Sequence, residues 1–164
     1  MCAEHNSQCI KWQQLSGRQG PAILQKVISI DDTIWYSSTH KSIYDKGENG
    51  MVQFFRKSNK VIDIVHYPED ITPFRHCCCK HKDKIYIIDG ETCAIISFDP
   101  ESKTFTKRHA IPKIGRYPSV VVLRDKIHIF HGYDNKEFHF EYDPIANELN
   151  THSVKTDAMG SVLA

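Results

Sequence analysis

No apolar run in the 164 residues approaches the roughly 20 needed to cross a bilayer as a helix, and neither sign of charge dominates. Lys plus Arg number 21 against 20 for Asp plus Glu, a formal balance of +1. Without a clustered basic surface there is no electrostatic case for nucleic acid. Without a polybasic segment there is none for an anionic membrane. The opening MCAEHNSQCIKW is polar, carries Glu4 early, and lacks the charged-then-apolar layout of a secretory signal. No N-x-S/T sequon is present, and a reducing, cytoplasmic setting is the expectation. The chain also lacks GxGxxG, GxxxxGK[ST] and HExxH, which removes the usual sequence grounds for dinucleotide, nucleotide and zinc-protease chemistry. SGRQG at 16–20 is too short for a phosphate loop and reads as a turn before a strand. No segment sustains apolar residues at i, i+3, i+4 over three turns, so helices are not expected.

Short runs rich in Val, Ile, Tyr and Phe recur instead: AILQKVISI, TIWYSS, MVQFF, VIDIVHY, KIYIID, AIISF, SVVVL, KIHIF and EFHFEY. Most end within a few residues at Gly, Pro, Asp or Asn, which is the pattern of strands separated by turns. The expected fold class is all-β. The six cysteines include the adjacent Cys77, Cys78 and Cys79 between His76 and His81, a stretch that invites a metal site. Zinc sites, however, usually take ligands in spaced C-x₂₋₄-C pairs, and Cys93 is the only later cysteine. In an extended chain Cys77, Cys79 and His81 share one face while His76 and Cys78 share the other. Small apolar packing in an inner strand is the plainer reading. No metal and no cofactor are expected. His128, His131 and His139 alternate with apolar residues on separate strands and are read as solvent-facing, and no catalytic set is recognisable.

The runs repeat. DKIYIIDG at 83–90 answers DKIHIFHG at 125–132, an offset of 42, and FDPESKTF at 98–105 answers YDPIANEL at 142–149, an offset of 44. Arg75 answers Arg116 at 41, and Cys77, Cys78 and Cys79 stand opposite Ser119, Val120 and Val121. A more worn copy precedes these, with DTIWYSS at 32–38, a long insertion HKSIYDKGENG at 40–50, and FRKSNKVI at 55–62. In each copy an aromatic residue (Phe55, Phe98, Tyr142) leads through a polar turn to an apolar one (Ile62, Phe105, Leu149). Aromatic, polar turn, apolar describes a hairpin packing both arms on one face. In the Asp-Pro turns at 99–100 and 143–144, the carboxylate is expected to bond back to the backbone. Four short strands at this period make a propeller blade, which must stack on neighbours.

These residues resemble the kelch-type β-propeller repeat. Its arginine is matched by Arg75 and Arg116, its strand ending in glycines by IYIIDG and IHIFHG, and its aromatic-Asp step by Phe98-Asp99 and Tyr142-Asp143. Phe105 and Leu149 hold the place of its tryptophan. No Gly-Gly pair exists; Asp89 and His131 hold the first place, and both tolerate the positive φ such a turn requires. Residues 1–9 are read as a tail and 10–164 as a kelch-like segment. Its repeats lie at about 22–68, 74–112 and 116–155, with partial blades at 10–16 and 159–164. The result is a partial β-propeller of four-stranded antiparallel blades. The resemblance implies a non-enzymatic protein-binding scaffold that engages a protein partner through its loops, with self-association if the arc is open. Arg18, Arg75 and Arg116, one at each repeat boundary, are the implied partner contacts, and the 40–50 insertion is a second contact loop. The alternatives are a propeller-type oxidase or carbohydrate-processing fragment, or a degenerate fragment without activity.

Overall fold

Apolar side chains placed on both faces of a strand bury it on both sides, whereas alternation leaves one face open. KIYIID and KIHIF differ in this respect, and the fold separates them accordingly. The computed structural model describes residues 27–30, 32–38, 49–58, 60–71, 73, 75–112, 114–130 and 138–153. These form strands and turns, with no helix long and apolar enough to cross a membrane among them. Three four-stranded antiparallel sheets follow one another along the chain. Blade I is β1 (Val27–Ile30), β2 (Thr33–Ser38), β3 (Gly50–Phe55) and β4 (Lys60–His66). Blade II is β5 (Cys77–His81), β6 (Lys84–Asp89), β7 (Ala94–Asp99) and β8 (Thr104–Ala110). Blade III is β9 (Ser119–Leu123), β10 (Lys126–Phe130), β11 (Phe138–Asp143) and β12 (Glu148–Ser153). The first strand of blade II lies against the first strands of both neighbours, so the sheets stand as successive blades of an open arc. The chain is a partial β-propeller.

Two apolar layers join the blades. Between I and II lie Trp35, Met51, Cys78, Ile85, Ile87, Ile96 and Phe98, with the Trp35 and Phe98 rings meeting edge-on at 5.1 Å. Between II and III lie Cys77, Tyr86, Ile88, Ile95, Ile127, Ile129, Phe140 and Tyr142. β6 sends Ile85 and Ile87 into one layer and Tyr86 and Ile88 into the other. Blade III contributes only one face of β10, Ile127 and Ile129, to a layer. The cysteine stretch is therefore a strand: Cys78 enters the first layer, and Cys77, with the partly buried Cys79, enters the second.

The internal repeat is visible in the backbone. Lys82 and Arg124, in the β5–β6 and β9–β10 turns, have φ of 52° and 50°; Lys103 and Asn147, closing the β7–β8 and β11–β12 turns, have 57° and 58°. Both Asp-Pro turns are built alike. Asp99 Oδ1 accepts from the amides of Glu101 and Ser102, at 3.0 and 3.2 Å, and Asp143 Oδ1 accepts from Ile145 and Ala146, at 2.9 and 3.0 Å. Phe98 pairs with Phe105 and Tyr142 with Leu149 directly across their hairpins. In blade I the corresponding pair is Phe54 and Val61, one residue earlier than the expected Phe55 and Ile62. A bulge at Gln53/Phe54 leaves Ile62 without an opposite residue, and it is exposed. An extra residue in a ladder reverses the alternation beyond it, which pattern matching along the sequence does not register.

Candidate functional site at one end of blades II and III

The segment leading into β5 and the β6–β7 turn meet the segment leading into β9 at one end of the two blades. Arg75, just ahead of β5, has φ 54° and accepts the Tyr117 amide on its carbonyl at 3.0 Å. Its guanidinium lies 4.0 Å from the Glu91 carboxylate and 6.0 Å from the centre of the Tyr117 ring. Tyr117 has φ 56° and precedes β9 as Arg75 precedes β5. The residue equivalent to Arg75 is thus Tyr117, at the same offset of 42 that separates Cys77 from Ser119, and not Arg116. Arg116 is half-buried one residue earlier. The structure brings Arg75 and Arg116 to the same end; Arg18 lies outside the described residues, as do 1–26 and most of the 40–50 insertion.

The β6–β7 turn is fixed from within. Asp89 is fully buried; its Oδ1 accepts the Glu91 amide at 3.0 Å and its Oδ2 accepts the Thr92 hydroxyl at 2.5 Å. Gly90 has no positive φ, so the Asp-Gly step is not the left-handed turn expected of it. Glycine is needed there for proximity: a Cβ at Gly90 would lie 2.4 Å from the Gly115 carbonyl oxygen and 3.0 Å from that of Arg75. The backbones of the three segments are in contact, and Glu91, Arg75 and Tyr117 stand on them. This arrangement can present a charged fork and an aromatic face with little conformational freedom left to lose. Tyr117 and Glu91 escaped the sequence reading because the repeat aligns an arginine with an arginine at the cost of one residue of slippage. The unusual φ of Tyr117 has no signature in its own residue type.

Two further groupings lie elsewhere. Between blades I and II, His76 Nε2 is 2.5 Å from Ser37 Oγ, which is 2.7 Å from the Tyr67 hydroxyl, and Tyr67 donates to Met51 Sδ at 3.6 Å. One direction satisfies the chain: His76 N–H to Ser37, Ser37 O–H to Tyr67, and Tyr67 O–H to sulfur. Ser37 and His76 are buried, so this serine–histidine pair ties two blades together and is closed to a substrate. Burial lowers the His76 pKa to about 4 and pushes the Tyr67 phenol up.

The second grouping lies on the face of blade III turned away from blade II. His128 and His139 come together there, half-buried on neighbouring strands, with Nδ1 and Nε2 2.9 Å apart. Among the described residues no cluster of three or more His, Cys, Asp or Glu side chains is arranged to hold a metal ion. No protein-family model matches the chain, and no curated protein matches it.

Proposed function

We propose that this chain is a non-enzymatic, kelch-like protein-binding module that engages a protein partner through the loops at the Arg75–Glu91–Tyr117 end. The contact of Gly90 with the Gly115 and Arg75 carbonyls carries this reading: it ties three loops into one rigid platform beneath exposed and half-exposed recognition side chains. Preorganised loops lose less entropy on docking, and Arg and Tyr are the residue types that concentrate binding energy at interfaces. The fork of Arg75 and the nearby Arg116 suit a partner surface bearing carboxylates.

The test is affinity capture from cell extract with the wild-type chain, Arg75→Glu, Tyr117→Ala and a control, Ile145→Ser, in the exposed β11–β12 turn at the far end of blade III. A partner held by wild type and control, with recovery reduced about tenfold or more by each loop variant, is the expected result. Equal recovery of the same proteins by all four would refute the reading.

A further inference from the structure

β8 carries one residue more than its counterpart in blade III. Strand pairing sets Ile95 opposite His109 and Ile96 opposite Lys107, so Arg108 is a bulge. In blade III the equivalent rungs, His139 with His152 and Phe140 with Thr151, follow without a break. A bulge re-aims the side chains around it, and this one turns two consecutive residues the same way. Lys107 points to the blade I side, where it pairs with Asp70 at 2.9 Å. Arg108 and His109 both point to blade III, His109 with its ring 6.3 Å from that of Tyr142.

Arg108 is held from behind. Its Nε donates to the hydroxyl of the buried Ser97 at 2.9 Å, which fixes the plane of the guanidinium and leaves its terminal nitrogens as a fork. Among the described residues no carboxylate pairs with it. Burial pushes the phenols of Tyr86 and Tyr142 upward, and the nearby Arg108 charge opposes that push.

The guanidinium lines a cleft of about 230 Å³ between blades II and III, at the end of both blades opposite Arg75. The buried Tyr86 and Pro144 line it too, with Lys82, Asp83 and Lys84 from the β5–β6 turn. Two of the neighbouring cationic groups already face carboxylates. Lys84 lies 3.6 Å from Asp99, and His81 Nε2 lies 3.7 Å from Asp125. Lys82 and Arg108 then stand against a single lining carboxylate, Asp83.

We propose that this cleft binds a small organic oxyanion, its phosphate or carboxylate head on Arg108 and Lys82 and its carbon part against Tyr86 and Pro144. Both head groups present paired oxygens to an arginine fork, and such charge-assisted bonds are roughly twice as strong as neutral ones. The volume lies below the roughly 300 Å³ at which pockets for drug-sized ligands begin. That is too small for a nucleotide and suits a head group carrying one ring or a short chain.

Isothermal titration calorimetry at fixed ionic strength tests this, with phenyl phosphate, benzoate and inorganic phosphate as probes. Phenyl phosphate or benzoate should fill one saturable site per chain with a dissociation constant on the order of 0.1–1 mM, the tighter of the two naming the head group. Inorganic phosphate lacks the carbon part and should bind at least about threefold more weakly than phenyl phosphate. Arg108→Gln, and Arg108→Lys, which keeps the charge but not the fork, should each weaken binding about tenfold or more. Lys82→Gln changes an exposed turn residue and should weaken it about threefold, which keeps the test open if circular dichroism shows the Arg108 variants unfolded. Lys107→Gln, the neighbour pointing the other way, should leave binding unchanged. No saturable binding of phenyl phosphate or benzoate up to about 10 mM overturns the proposal. So does an affinity that Arg108→Gln leaves intact, or one that Lys107→Gln lowers as much, which would mark attraction to charge alone. Equal affinity for inorganic and phenyl phosphate overturns the role of Tyr86 and Pro144. None of these substitutions touches the Arg75 end, so this proposal and the loop-binding reading fail separately.

Discussion

Gly90 stands where three backbone segments converge, and its conservative replacement is the sharpest probe of the loop platform. Alanine would set its Cβ 2.4 Å from a carbonyl oxygen, and the obstructing atoms are backbone, unable to swing aside as a side chain could. The loops must part or the strain must remain. Gly90→Ala is expected to destabilise the chain by about 1–3 kcal/mol, the usual range for overpacking a tight site. A urea titration reads this as a lower midpoint with an unchanged slope. A shift below about 0.5 kcal/mol, within the scatter of ordinary surface substitutions, would mean that the three segments are not held together. The sequence offers the Asp-Gly step, but its chemistry suggests a left-handed turn. The close approach that requires glycine is made by residues 15 to 26 positions away, and no local pattern encodes it.

At the scale of elements, blades I and II are joined by an apolar layer with one polar chain through it, His76–Ser37–Tyr67. Burial depresses the His76 pKa from 6.5 to about 4, so in this range the unfolded chain takes up a proton that the folded chain refuses. Its contribution is fully present above about pH 6.5, falls as the pH drops, and levels off below about 4, a swing on the order of 3 kcal/mol. Ser37→Ala deletes both hydrogen bonds of the serine and is expected to cost about 1–3 kcal/mol near neutral pH. Denaturant midpoints taken from about pH 7 to 4 on wild type and His76→Phe separate these contributions; a wild-type slope equal to that of His76→Phe would remove His76 from the account. The strands themselves were legible. KIYIID and KIHIF show which blade is covered twice, and the paired Asp-Pro turns recur with the hydrogen bonds their residue types imply. The alternation of Cys77, Cys78 and Cys79 between two layers also follows from strand geometry. What the sequence hid was register: the hairpin turn that pairs Phe54 with Val61 and not Phe55 with Ile62, and the one-residue slip that puts Tyr117 in the place corresponding to Arg75. The meeting of His128 with His139 has no signal in the alternation of either strand alone; it follows from the pairing of β10 with β11, which sets the two diagonally on one face.

Across the whole molecule the three blades are unequal, and the inequality follows from how many faces each buries. Blade II is covered on both sides: Ile85, Tyr86, Ile87 and Ile88 of β6 are all buried, and Ile95, Ile96 and Phe98 of β7 with them. Among the described residues blade III packs on a neighbour on one side only, and β12 is exposed along most of its length while pairing with β11 alone. Ion pairs reinforce the joint between I and II, with Lys103 on Asp63 of β4 and Lys107 on Asp70 at 2.9 Å. The joint between II and III has the weaker contact of His81 with the exposed Asp125, at 3.7 Å. A repeat array of this kind has a stability close to a sum over units and their interfaces, so its ends open before its centre. Hydrogen exchange should show β6 amides slowest and those of β11–β12 faster by at least about 100-fold, or about 2.7 kcal/mol of local opening. Uniform exchange would mean that the arc opens as one unit, with the interfaces between blades outweighing the differences within them.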